Sequence, residues 1–361
     1  MSAYATKLAE AFSARLMEQV YAKAIFPFIT NTEYRGEVQQ GSKVNIPALA
    51  RLSEKSYTGS NLTADDLNEI VATLIVDQAK AFYFKVKTID EYKSFIKDPA
   101  SKTISQRASE RKKNVDSFVL GFYPKVAAGQ RIGTNYADGT VAVAADTGVV
   151  TGTSTVFTEA MVGRGFKAAG HTKWYRVKSY ASATSITIED DIDDYPSAYT
   201  GGAIAAGASY AIEANTPVAL AKDTVLNYLL KIKTVLDDAE VPDENRFLVV
   251  PPVVANLMPE GANIAISVPA VYEDLVKRGF ITELIGFKIF SSTRLAGDNT
   301  DGYHCLAGTS DWLTMADKVL EAGIEEDLIG NFGSAFKDLY IYGAKVADER
   351  RKFACELFAK V

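Results

Sequence analysis

Histidine and cysteine are almost missing from this 361-residue chain, which has two of each. Two histidines cannot build a His-rich metal centre, and Cys305 and Cys355 lack zinc-site spacing. The cysteines lie far apart in apolar runs and read as buried thiols, not a disulfide, which fits a reducing, cytoplasmic origin. A basic stretch of the kind that marks sequence-specific DNA binders is missing too. With 39 Lys and Arg against 45 Asp and Glu the net charge is −6, so any contact with nucleic acid would be weak and non-specific. No apolar run approaches the roughly 18 residues of a membrane span, and the N-terminus lacks a signal-peptide core. Neither a membrane protein nor one secreted by that route is expected.

A catalytic constellation is equally hard to find. His171 sits in the loop Gly170-His171-Thr172-Lys173, a surface position. His304 precedes Cys305, but neighbours on a strand face opposite ways and would not meet as a thiol–imidazole pair. Gly163-Arg164-Gly165-Phe166-Lys167-Ala168 matches a loose dinucleotide fingerprint, yet no helix follows it. The acidic run Glu189 to Asp194 lacks EF-hand spacing and reads as a solvated turn before a cation site. No catalytic, cofactor or metal residue is assigned, and an enzyme is not expected.

What the chain does have is a long β-excursion, residues 36–92. It opens with Gly41-Ser42-Lys43-Val44-Asn45-Ile46-Pro47 and passes a polar middle, Ser53 to Asp66. It closes with a strand-like run, Glu69 to Lys87. Phe82, Phe84 and Val86 fall on one side at period two, with Tyr83, Lys85 and Lys87 on the other. Such a finger hides too little surface alone and should lie on something.

Before it, residues 3–24 read as an amphipathic helix through Leu8, Phe12, Leu16 and Val20. That helix packs on its own domain or lies as an arm on a neighbouring subunit. After the finger, Ser101 to Val126 is the best long helix, with Ile104, Ala108, Val115, Phe118, Val119 and Phe122 in one stripe. Arg107, Arg111, Lys112 and Lys113 crowd its first half. These form a solvated face, a face toward nucleic acid, or a set of partners for another subunit's carboxylates.

Between Gly133 and Ala214 there is no leucine at all. Short β-prone runs with glycine turns make this stretch a small all-β insert. Helical sequence resumes over Thr216–Asp238, with Pro217 in the first turn. A turn at Val241-Pro242-Asp243-Glu244-Asn245 leads to Phe247-Leu248-Val249-Val250, a buried strand stopped by Pro251-Pro252. Mixed α and β signals follow, and Leu339–Val346 and Lys352–Val361 close the chain as strands.

This order of parts resembles the Hong Kong 97-type major capsid proteins of tailed bacteriophages. Local stretches resemble the family as well: Tyr34-Arg35-Gly36-Glu37 with Gly41 to Pro47, Val76-Asp77-Gln78 with Phe82 to Val86, and Val241 to Pro252. Later ones are Gly279-Phe280-Ile281, Ile285 to Phe290, and Tyr342-Gly343-Ala344-Lys345-Val346. The resemblance implies an α+β capsid fold divided into an N-terminal arm (1–35), an extended loop (36–92) and a peripheral domain with a spine helix (93–132). The all-β insertion domain (133–214), an axial domain (215–340) and C-terminal strands returning to the peripheral domain (341–361) follow.

It implies self-assembly through hexamers and pentamers into an icosahedral shell around double-stranded DNA, in a virion assembled in the host bacterial cytoplasm. The implied partners are the chain itself, a separate scaffolding protein, a portal, optionally a cement or decoration protein, and packaged DNA held non-specifically. No cofactor, metal or membrane is implied. In such a subunit Phe82, Phe84 and Val86 would anchor the finger's base, and Arg51, Glu54 and Lys55 would make polar contacts near its tip. Leu8 and Phe12 would anchor the arm, and Arg107 and Arg111 would meet DNA or another subunit. The alternatives are an encapsulin-like compartment shell and, in a different class, a glycan-binding module using Tyr175, Tyr180, Tyr195 and Tyr199 of the insert.

Overall fold

The computed structural model describes residues 14–21, 24–34, 43–49, 69–87, 99–145, 147–192, 195–262, 280–325 and 333–361. They divide into two compact units.

One unit holds the finger, with described residues from 32–97 and 314–345. Strands Lys43–Leu49 and Glu69–Ile75 pair antiparallel, from Lys43 opposite Ile75 to Leu49 opposite Glu69. Their connection, including Arg51, Glu54 and Lys55, lies outside the described residues, as do Leu8 and Phe12. The next strand, Gln78–Lys87, joins a three-stranded sheet with Gly333–Lys345 and Thr314–Glu325. A small core of Val44, Leu74, Val76 and Ala316, flanked by Tyr34 and Ile341, ties the finger's root to that sheet. Gly343 explains itself here: a Cβ would fall 2.3 Å from the Ile75 carbonyl oxygen, so no side chain fits.

The expected grouping changes at this point. Gly333–Lys345 pairs with the finger strand and Thr314–Glu325 pairs with Gly333–Lys345, so neither joins the sheet of the lobe that precedes them. The expected strand Leu339–Val346 is the end of a longer one, Gly333–Lys345, which does not share a sheet with the closing strand Ala354–Lys360. Pairing at this distance leaves no local trace, because each strand reads alike whichever partner it takes.

The second unit begins at Arg15, within a helix over 14–21 whose Leu16, Met17 and Val20 are buried. Residues 15–21 thus pack within their own unit. The short helix Phe26–Ile29 follows and meets the long helix Pro99–Leu120. Asp116 of the long helix accepts from the amides of Ile25 (3.2 Å) and Phe26 (3.1 Å), two donors that a helix start leaves unpaired. The indole of Trp312 donates to the Ile29 carbonyl (2.8 Å) and closes the other end. The long helix stops before the expected Val126. A turn at Tyr123–Lys125 replaces its last part, because Pro124 cannot donate and disfavours helix in the residue before it.

Burial drives the Asp116 carboxyl up from 3.8 to about 6, against the pull of its two amide donors and Lys112. The native state therefore keeps a proton that the unfolded chain releases. Stability contributed by the neutral acid is whole below pH 3.8 and is lost as pH rises toward 6. A rise of that size is worth about 3 kcal/mol at most. Asp116→Asn keeps an acceptor for both amides and removes the titration. Urea midpoints of this variant are expected to be flatter than those of the parent across that window. Equal slopes would contradict this.

An eight-stranded mixed sheet forms the centre of this unit. Its main path runs Val218–Ala219, Ala354–Lys360, Gly302–Gly308, Phe247–Val250, Phe287–Ser291, Phe280–Leu284. Phe247 to Val250 are buried to a residue, as their composition requires. Helices Val225–Asp238 and Pro252–Ala262 pack together, and the first lies on Ala354–Lys360. That helix starts nine residues later than the expected Thr216. Val218–Ala219 instead forms a parallel strand against Ala359 and Lys360, and the Leu220 amide donates to the Lys360 carbonyl (2.7 Å). The edge of the closing strand needs backbone partners, and this need outweighs local helix propensity.

The leucine-free stretch is an antiparallel sheet of nine strands with its own core, including Val141, Val150, Phe157, Phe166, Val177, Ile186 and Ile212. Its first strand, Thr134–Tyr136, pairs with its last, Tyr210–Thr216, placing Thr134 opposite Thr216. The chain thus enters and leaves the insert side by side. Arg131–Ile132 before it and Val218–Ala219 after it both lie on the closing strand Ala354–Lys360.

Candidate assembly surfaces

The finger's base keeps the expected alternation. Phe82 and Phe84 are half-buried, while Tyr83 is 54% exposed and Lys85 is exposed. Phe84 stacks on its cross-strand partner Phe336 with centroids 5.2 Å apart and rings 12° from parallel. Phe82 stands opposite Asp338 and Val86 opposite Ser334 in the same ladder. The Phe84–Phe336 stack therefore ties the finger strand to its own sheet.

Two further exposed apolar side chains of this unit have no counterpart among the expected contact residues, Ile75 at 56% and Leu320 at 58%. Leu320 sits where the ladder shifts register between Val319 and Glu321, and such a bulge re-aims a side chain. Nothing in Lys318-Val319-Leu320-Glu321 announces a bulge.

The basic face of the long helix is not the solvated stripe expected. Arg111 is 2% exposed, and its Nη1 donates to the Met17 sulfur at 3.3 Å. Arg107 is half-buried. Lys113 pairs with Glu110 at 2.7 Å on the exposed side. Arg111 thus serves the packing of the N-terminal helix within its own chain. A helix stripe carrying a buried arginine is indistinguishable, by spacing, from a wet one.

The clusters that could have held chemistry are closed. His304 Nδ1 lies 2.6 Å from Glu356 Oε1. The ring is stacked between Tyr123 (4.0 Å) and Phe358 (4.4 Å), which leaves no space for a substrate on either face. Cys305 and Cys355 are free, buried thiols, and burial pushes both far above the usual thiol range. Burial also pushes Glu356 upward, but the His304 hydrogen bond and the charge of Arg131 outweigh it and hold the carboxyl below its ordinary value.

The acidic run is corrected as well. Glu189 and Asp190 belong to the strand Ser185–Ile192 and are buried, not solvated. Lys173 lies 3.0 Å from Asp190, and Arg176 lies 3.6 Å from Glu189. Among the described residues no group of three or more His, Cys, Asp and Glu side chains could hold a metal ion. Gly165–Ala168 is a strand, so the glycine fingerprint has no helix to serve. Tyr175 and Tyr199 are core residues and Tyr180 is exposed, so these three form no stacking platform. The side chain of Tyr195 lies outside the described residues.

No protein-family model matches the chain, and no curated protein matches its sequence. Solved structures do match. One from Mycobacterium phage Che8 is 16% identical with a TM-score of 0.53, covering 92% of this chain and 90% of that one. The capsid of cyanophage P-SCSP1u is 14% identical with a TM-score of 0.54, covering 93% and 88%. The capsid of Ralstonia phage GP4 is 12% identical with a TM-score of 0.52, covering 94% and 92%. The chain has the Hong Kong 97-type fold. Each likeness covers about nine-tenths of both chains.

Proposed function

We propose that this chain is the major coat subunit of a tailed-phage head and assembles through hexamers and pentamers into an icosahedral shell. The observation that carries the reading is the fold shared with phage capsids over more than nine-tenths of the chain, combined with a finger that has its own supporting sheet. A hairpin projected from a small root offers contact area without a large globular face, and obligate contacts bury about 2,000 Å2 or more.

In this reading Pro99–Leu120 is the spine of the peripheral domain, and the lobe around Phe247–Val250 is the axial domain at capsomer centres. The loop beyond Leu49, with Arg51, Glu54 and Lys55, reaches a neighbour, aided by exposed Ile75 and Leu320. Leu8 and Phe12 precede the helix over 14–21 and extend the subunit's contacts. The net charge of −6 lets DNA pack inside without tight adhesion. A scaffolding protein, a portal and optionally a cement protein are the further partners, the location is the virion, and the role is structural, not enzymatic.

The test is the content of particles from producing cells. Nuclease-protected double-stranded DNA is the expected result. A protein cargo without DNA would overturn the phage reading in favour of a compartment shell.

A further inference from the structure

The insert's root holds a buried chain of charges. Glu213, on the insert's last strand, accepts from the amides of Gly129 (2.6 Å) and Gly165 (2.7 Å) and from Arg131 Nη1 (3.0 Å). Arg131 lies on the core side. Its Nη1 also donates to the Gly163 carbonyl in the insert (2.7 Å), and its Nη2 donates to Pro124 (3.0 Å) and Val126 (2.8 Å) carbonyls in the core. Its Nε lies 3.1 Å from Glu356 on the closing strand, an ion pair, and Glu356 meets His304 on the next strand. Arg131, Glu213 and Glu356 side chains are each 2% exposed.

Arg164 reaches from the insert to the core in the same place, with its guanidinium 5.3 Å above the Phe358 ring. Three glycines make the approach possible. A Cβ on Gly129 would fall 2.6 Å from the Trp174 ring, one on Gly133 2.6 Å from Ala214, and one on Gly165 2.6 Å from the Glu213 carboxyl.

We infer that Glu213, Arg131, Glu356 and His304 form a latch that fixes the angle of the inserted β-domain on the core sheet. The physical ground is directional. A buried network of paired charges adds little net stability over an apolar core of equal volume, but it specifies one register, because any rotation strands a desolvated charge. The insert's own core explains why it folds, and the latch explains why it points one way. A domain held only by its two chain crossings would swivel. This one is a rigid bracket. The inference stands whether or not the chain builds a shell.

Distances between spin labels on the full chain test it. Labels go on Thr153→Cys in the insert and Asp238→Cys at the end of helix Val225–Asp238, both exposed. Labelled chain is diluted with unlabelled chain to isolate distances within one subunit. With Glu213 intact, one narrow distribution is expected. Glu213→Ala removes all three acceptances and roughly doubles the width while the insert's sheet stays folded by circular dichroism. Glu213→Gln, which keeps the size and one acceptor, falls between the two and serves if the alanine variant does not fold. A broad distribution with Glu213 intact would overturn the latch. So would an unchanged width in a folded variant.

Discussion

A chain lacking Ser53–Asp66 folds as a stable subunit and fails to close into shells. The strands on either side, Lys43–Leu49 and Glu69–Ile75, keep their ladder without the missing stretch. The deletion leaves residues 50–52 and 67–68 between them, three plus two, within the usual hairpin range of about 2–5. The root core of Val44, Leu74, Val76 and Ala316 is untouched. Its thermal midpoint should therefore move by only a few degrees. Assembly should fall by orders of magnitude, because each subunit loses a contact repeated all around the shell and the losses add. Light scattering and microscopy of the variant beside the parent read the result. Normal shells from the shortened chain would show that the finger is an ornament and the reading of its role is wrong.

Replacing residues 134–216 by a short glycine–serine link has the second large effect, and it is two-sided. Thr134 and Thr216 are ladder partners, so the link spans a single strand spacing. The excised insert keeps every member of its own core cluster and is expected to fold alone. The remaining core keeps its eight-stranded sheet but loses two of Arg131's partners, Glu213 and the Gly163 carbonyl. Arg131 retains the Pro124 and Val126 carbonyls and Glu356, so the charge stays paired. The cost should be about 2 kcal/mol, several degrees of midpoint for a unit of this size. Calorimetry on the two fragments measures both halves. A core that no longer unfolds cooperatively would mean the insert belongs to the folding unit and is not an addition to it.

Parts of this architecture are legible from residues alone. The period-two run through Phe82 and Phe84, the long apolar stripe ending near Pro124, and the four-residue strand Phe247–Val250 each announce themselves locally. The leucine-free stretch betrays the insert by composition. What stays hidden depends on partners far away. Nothing near Thr314 or Gly333 says that these strands will join Gln78–Lys87. Arg111 carries the same letter whether it faces water or Met17. Glu189 and Asp190 look like a solvated turn until Lys173 and Arg176 arrive beside them. The latch is the extreme case: Arg131 and Glu213 stand 82 residues apart and His304 and Glu356 stand 52 apart. No spacing rule joins residues at such distances, since the sheet's topology does the joining. The one local signal is the crowd of glycines at 129, 133 and 165, each adjoining a chain segment that closes on it.

In the proposed shell the finger of each subunit lies on the next. Electron cryo-microscopy of the purified chain, with and without a scaffolding protein, tests it most directly. Closed polyhedral particles, or hexameric and pentameric rings, are expected, in which the hairpin Lys43–Leu49 and Glu69–Ile75 lies against a neighbouring subunit. A monomer at every concentration, or a particle whose fingers touch only their own subunit, would contradict it.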